Sequence, residues 1–212
     1  AKALEQFSQE KAKEPPLTAS QKEEVLKADL IYKEMLENFE KNEFAKATPL
    51  AIQALKTYRE ILGNKHSKTV NTIINLGRLY LYQKEYAKSE PLLLEALKHK
   101  RDTEGNKHPD TATIINSLAE LFFYQGQDIK VENLLTEALQ IRRGSLGIKH
   151  PDTVDSINSL AEFYNGKAQY AKAAPLLVEA LKINREALGN KHPSTAMSIN
   201  NLAQVYSNQN QY

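Results

Sequence analysis

The apolar positions of this 212-residue chain fall in short helical stripes that return at a fixed interval. Between Asp110 and Gln125, Ile114, Ile115, Leu118, Leu121 and Phe122 recur at three- and four-residue spacings, a stripe one helical face wide. A polar Gly126-Gln127 turn follows. Ile129, Val131, Leu134, Leu135, Ala138, Leu139 and Ile141 then describe a second helix. This pair returns every 42 residues. Leu76, Leu118, Leu160 and Leu202 form one column, and Gly77, Ala119, Ala161 and Ala203 form the next. Tyr80, Phe122, Tyr164 and Tyr206 make an aromatic column, while Ala96, Ala138 and Ala180 each precede a leucine in the second helix. Two antiparallel helices approach closely only where small residues face each other, which gives the Gly and Ala columns a mechanical reason.

The loops between pairs repeat as strictly. Gly63-Asn-Lys-His66-Ser67 returns as Gly105 to Pro109, Gly147 to Pro151 and Gly189 to Pro193. The glycines are expected to end helices as left-handed residues. Pro109, Pro151 and Pro193 suit the first helical position, and Asp110 and Asp152 the first turn, where the helix dipole favours negative charge. His66, His108, His150 and His192 are expected to pack on or cap the following helix. They do not suggest a metal, because stacked helices lie about 8–10 Å apart, whereas zinc needs each nitrogen about 2.0–2.1 Å away. Pro49, Pro91 and Pro175 fall inside the second helices, which predicts either a bend or a later helix start.

These signals divide the chain into an arm or short helix at 1–18, a degenerate first unit at 19–62, full units at 63–104, 105–146 and 147–188, and the first helix of a further unit at 189–212. The first unit is degenerate because Glu34 and Asn38 stand where leucine and tyrosine belong. The expected fold is an all-α right-handed superhelical solenoid of antiparallel helix pairs.

Composition narrows the function. At 41% hydrophobic and 25% charged the chain is suited to folding, and a net charge of +2 gives no field for gripping nucleic acid. Cysteine is absent, which removes disulfides, thiolate chemistry and sulfur-bound zinc and suits a reducing, cytoplasmic setting. No apolar run approaches the roughly 20 residues of a membrane span, and the charged N-terminus lacks the apolar stretch of a secretory signal. Phosphate-binding Gly-rich loops, paired-histidine zinc motifs and nucleophile elbows are missing, so neither an enzyme nor a cofactor is expected.

Leu-Gly-Asn-Lys-His-Pro at 188–193, Ile-Asn-Asn-Leu-Ala at 199–203 and Glu-Pro-Leu-Leu-Leu-Glu-Ala-Leu at 90–97 resemble the kinesin-light-chain type of tetratricopeptide repeat, over about residues 44–212. The resemblance implies that each first helix lines a concave face holding a protein or peptide segment. The groove candidates are then Asn71, Asn75, Arg78, Tyr82, Asn116, Glu120, Tyr124, Asn158, Glu162 and Asn200. An amide offers both donor and acceptor, so an asparagine repeated once per unit suits a peptide backbone; it equally suits bonding to the next unit. Kinesin light chains use groove asparagines helped by basic residues to hold cargo. Here Arg78 is the one groove cation expected, and Glu120 and Glu162 stand where positive charge would suit an acidic peptide. The expectation is therefore a partner segment of mixed or basic character, and neither an acidic cargo motif nor a carboxylate clamp. The alternative is self-association through an open C-terminal end, or an intramolecular regulatory role.

Overall fold

A computed structural model describes residues 16–209, and all the regular structure among them is helical. The helices are α1 (Ala19–Glu40), α2 (Phe44–Leu62), α3 (Ser67–Tyr82), α4 (Tyr86–Glu104), α5 (Pro109–Tyr124), α6 (Asp128–Ser145), α7 (Pro151–Gly166), α8 (Tyr170–Leu188) and α9 (Pro193–Gln209). The chain divides into two compact units, Ala1–Thr69 and Val70–Tyr212. Of the expected arm at 1–18, residues 1–15 lie outside the described residues.

In the first unit α1 packs on α2 around Val25, Ala28, Ala54 and Tyr58. A capping box starts α1: Thr18 Oγ1 accepts from the Gln21 N–H at 3.2 Å, and the Gln21 side chain accepts from the Thr18 N–H at 2.9 Å. The irregularity of this unit is absorbed locally. Asn38 Nδ2 donates to the Glu34 carbonyl at 2.8 Å within its own helix, and the fully buried Met35 stands in the glycine column.

In the second unit the helices from α4 to α9 each pack on their chain neighbours. Ala96, Ala119, Ala138, Ala161 and Ala180 are buried, as close helix approach demands. At Gly77 a Cβ would lie 2.9 Å from Leu93 Cδ2, so α3 touches the α4 side chains with bare backbone. The aromatic column is roofed by lysines eight residues on. Lys88, Lys130 and Lys172 place their ammonium groups 5.2, 4.4 and 4.8 Å from the ring centres of Tyr80, Phe122 and Tyr164.

The histidines are N-caps. Nδ1 of His66, His108, His150 and His192 accepts the backbone N–H two residues on, each at 3.2 Å, satisfying an orphan donor of the following helix. A threonine column completes the loop. Thr69, Thr111, Thr153 and Thr195, all fully buried, donate Oγ1 to the carbonyls of Gly63, Gly105, Gly147 and Gly189 at 2.8–3.1 Å.

Two expectations need correction. Gly63, Gly105 and Gly189 have φ of 80°, 90° and 85° but ψ near 168°, 166° and 168°, an extended region open essentially to glycine alone, and not the left-handed helical cap. The left-handed residues sit in the other turn, between the helices of a pair: Asn42, Lys84, Gly126 and Ala168, with φ of 58°, 62°, 72° and 56°. The N–H that follows each reaches back five residues, as in Glu85 to the Tyr80 carbonyl at 2.8 Å, closing the preceding helix. Pro49, Pro91 and Pro175 lie inside α2, α4 and α8, which begin at Phe44, Tyr86 and Tyr170, so a later helix start is not adopted.

Candidate binding groove

In the second unit, α5, α6 and α7 with Arg78 of α3 enclose a cavity of about 680 Å³. Its walls are Ala119, Phe123, Val131, Leu135 and Phe163, and Arg78, Asn116, Glu120, Tyr124, Glu162 and Asn165 bring polar groups to it. The space has a cause in the sequence. The last turn of α5 carries Phe123 and Tyr124, whereas one repeat later α7 carries Asn165 and Gly166. A Cβ added at Gly166 would meet nothing within 4 Å, so bulk missing from α7 becomes open volume.

The structure thus gathers five of the ten expected groove residues: Arg78, Asn116, Glu120, Tyr124 and Glu162. Asn158, again with Glu162, lines a smaller cavity of about 320 Å³ beside α9. Asn71, Asn75, Tyr82 and Asn200 line neither cavity. Tyr82 nevertheless belongs to the Arg78 environment. The Arg78 guanidinium carbon lies 5.8 Å from the centre of the Tyr82 ring, and Nη2 donates to the phenol oxygen at 3.2 Å.

Arg142 on α6 is a second cavity cation, missed because it lies on a second helix. It is 8% exposed and uses both terminal nitrogens. Nη1 donates to the Asp152 carbonyl and to Ser156 Oγ, each at 2.9 Å, and Nη2 donates to Thr113 Oγ1 at 3.2 Å. One repeat later Asn184 makes the equivalent bonds, to the Ser194 carbonyl at 3.3 Å and Ser198 Oγ at 2.9 Å.

Two side-chain oxygens of the asparagine column are buried without a partner among the described residues. Asn116 Oδ1 and Asn158 Oδ1 are shielded from solvent and accept no hydrogen bond from the described residues, and the Arg142 Nε–H is equally unpaired among them. Stacking alone therefore does not use these two amide oxygens. Beside Asn116, burial pushes the Glu120 carboxyl above the usual carboxylate range, while the Arg78 charge works against that rise. The Glu120 charge in turn raises the Tyr124 phenol. Tyr124 stacks on Tyr86 with centroids 5.9 Å apart and stays 54% exposed, and Phe123 meets it edge-on and stays 48% exposed.

A metal centre is a poor description of the acidic residues present. Glu104, His108 and Asp110 bring possible ligand atoms within 4.8 Å of one another. The Lys100 ammonium already bonds Glu104 and Asp110 at 2.7 and 2.8 Å. No described helix is long and apolar enough to cross a membrane.

Comparison with known families places these features in context. The sequence profile described as tetratricopeptide repeat matches residues 35–102, 74–144, 110–183 and 152–212. Among solved structures, the nearly identical TPR-like repeats of a Podosopora anserina protein assigned to the kinesin light chains superpose with a TM-score of 0.76 at 22% identity, over 88% of this chain and 89% of that one. BtubC (BKLC) from P. vanneervenii gives 0.72 at 20% identity, over 92% and 85%. A Rap protein complexed with competence and sporulation factor gives 0.68 at 18%, over 88% and 54%. Among curated protein sequences none matches.

Proposed function

Because the chain belongs to the tetratricopeptide repeat family, a fold of helical repeats that serves as a protein-interaction scaffold, we propose that its second unit holds a polypeptide segment along α5 and α7. The observation carrying this reading is the pair Asn116 and Asn158. Their Oδ1 atoms are acceptors without a partner among the described residues, and the two side chains line the cavities at one-repeat spacing. A buried amide oxygen left unpaired costs about 1–3 kcal/mol, and rotation of either side-chain amide toward its cavity would present that oxygen to a peptide N–H in the groove. Exposed aromatic rings at Phe123 and Tyr124 offer contact area at little rotamer cost.

A photo-crosslinking amino acid at Tyr124 tests the site against one at Lys98, an exposed residue of α4 outside the cavity. Capture of defined peptides from native extract at position 124 and not at 98 is the expected result. Equal capture at both positions counts against the groove.

A second reading, association of two copies through α9, has its own observation. Ile199 and Tyr206 are 41% and 46% exposed, whereas Ile115, Ile157 and Tyr164 of the same columns are buried. Sedimentation velocity across a concentration series separates the readings. A dimer lost on Tyr206→Ser favours association, and a monomer at all concentrations removes it.

A further inference from the structure

Resting on the groove reading above, we infer that the segment held by the second unit carries a lysine or arginine beside an aromatic or long aliphatic residue. The apolar side chain enters the cavity and the cation meets Glu162 at its rim.

Volume and lining set the first half. A cavity of about 680 Å³ lies within the range of pockets that bury a whole organic ligand, about 300–1,000 Å³. Val131 and Leu135 give it an aliphatic lining, and Phe123 and Phe163 an aromatic one. A backbone laid across the mouth leaves space for one bulky apolar side chain and the methylene stem of a second residue. The opening exists because α7 ends in Asn165 and Gly166.

Charge sets the second half. Two cations and two carboxylates line the cavity, and they are not equally available. Arg142 is 8% exposed, is committed to three oxygens, and lies within electrostatic reach of Asp155. Arg78 bonds Tyr82 and acts electrostatically on Glu120. Glu162 is exposed and makes no ion pair among the described residues. An incoming carboxylate would meet Glu120 and Glu162 together, whereas an incoming cation meets the one uncompensated charge. The half-exposed Phe123 ring, on the same cavity, offers a π face to a cation. Complementarity of this kind selects partners and orients them more than it adds affinity.

The experiment is selection of a phage-displayed random dodecapeptide library on the intact chain, followed by titration of the enriched peptides. Enriched sequences are expected to place Lys or Arg within a few residues of Phe, Tyr, Trp, Leu or Met. Gly166→Tyr fills the cavity and is expected to weaken them roughly tenfold, on the scale of losing one interface anchor. Its Cβ meets nothing, so the fold is retained, and circular dichroism checks this. Glu162→Lys is expected to weaken the same peptides several-fold and to be rescued when the peptide's basic residue becomes Glu. Peptides that Gly166→Tyr blocks but that lack a cation, or that Glu162→Lys leaves unchanged, overturn this inference and leave the groove reading standing. Failure to select any peptide, or peptides indifferent to both substitutions, overturns the two together.

Discussion

The Tyr58 hydroxyl donates to Asp29 Oδ1 across 2.7 Å, joining α2 to α1 in the first unit. Asp29 also receives the Lys68 ammonium at 2.7 and 2.6 Å, so one carboxylate ties three segments together. Tyr58 is 1% exposed, and burial first, then its bond to Asp29, raise its phenol well above the usual value. Tyr58→Phe strands a carboxylate lone pair and is expected to cost about 1–2 kcal/mol in urea unfolding. A loss below measurement error would show that Lys68 alone satisfies Asp29.

The same carboxylate sets an acid limit. Burial alone would raise Asp29, but hydrogen bonds from Lys68 and Tyr58 outweigh it and hold the group below its ordinary 3.8. A folded-state value below the unfolded one contributes stability above that ordinary value, lost as pH falls through the lower folded value. Tyr58→Phe should therefore narrow its stability deficit between neutral pH and about pH 3. A deficit constant with pH would assign the loss to packing.

The turn inside each helix pair holds a left-handed residue, and only one of the four is glycine. Lys84 and Ala168 pay the steric cost of a Cβ at φ of 62° and 56°. Ala168→Gly and Lys84→Gly are each expected to stabilise by about 0.5–1 kcal/mol, and Gly126→Ala to destabilise by a similar amount. Thermal unfolding of the three variants checks the pattern, which fails if Ala168→Gly lowers the midpoint.

His150→Ala should remove the acceptor for the Asp152 N–H and cost about 1 kcal/mol, whereas His150→Asn keeps a capping oxygen and recovers most of it. Equal loss in both would mean that the imidazole acts by packing.

How far the sequence reveals this molecule depends on the distance over which each feature is written. The helix pairs, their small-residue contacts and the capping histidines lie in columns 42 residues apart, and a periodic search finds them. Some side-chain bonds between helices repeat with that period too, as Arg101–Glu137 does at Arg143–Glu179, but which positions pair is not written in any column. Arg142 reaches Ser156 and Thr113, 14 and 29 residues away, and Arg101 meets Glu137, 36 residues away at 2.6 Å. The Thr111 and Thr153 column is strictly periodic but resembles ordinary helix-start chemistry, so its bond to the loop glycine emerges only from coordinates. Half of the groove candidates chosen by helix position line the cavity and half do not, because the cavity follows missing bulk at Asn165 and Gly166, which no periodicity marks.

Glu120 tests whether the groove sacrifices stability for binding. Burial raises its folded-state pKa above the ordinary 4.5, and the Arg78 charge opposes part of that rise. A folded value above the unfolded one means that the folded chain holds its proton more tightly. The associated stability is complete below about 4.5 and declines as pH rises through the folded value. Glu120→Gln, which keeps the shape and removes the charge, should therefore raise the unfolding midpoint at pH 7 and change it little at pH 4. Arg78→Gln should lower the midpoint at pH 7 by leaving Glu120 without its opposing charge. Combining the two should lose much of that penalty, a coupling that a double-mutant cycle reads directly. If Glu120→Gln destabilises at pH 7, the carboxylate supports the fold through Arg78 and is not a cost of the groove.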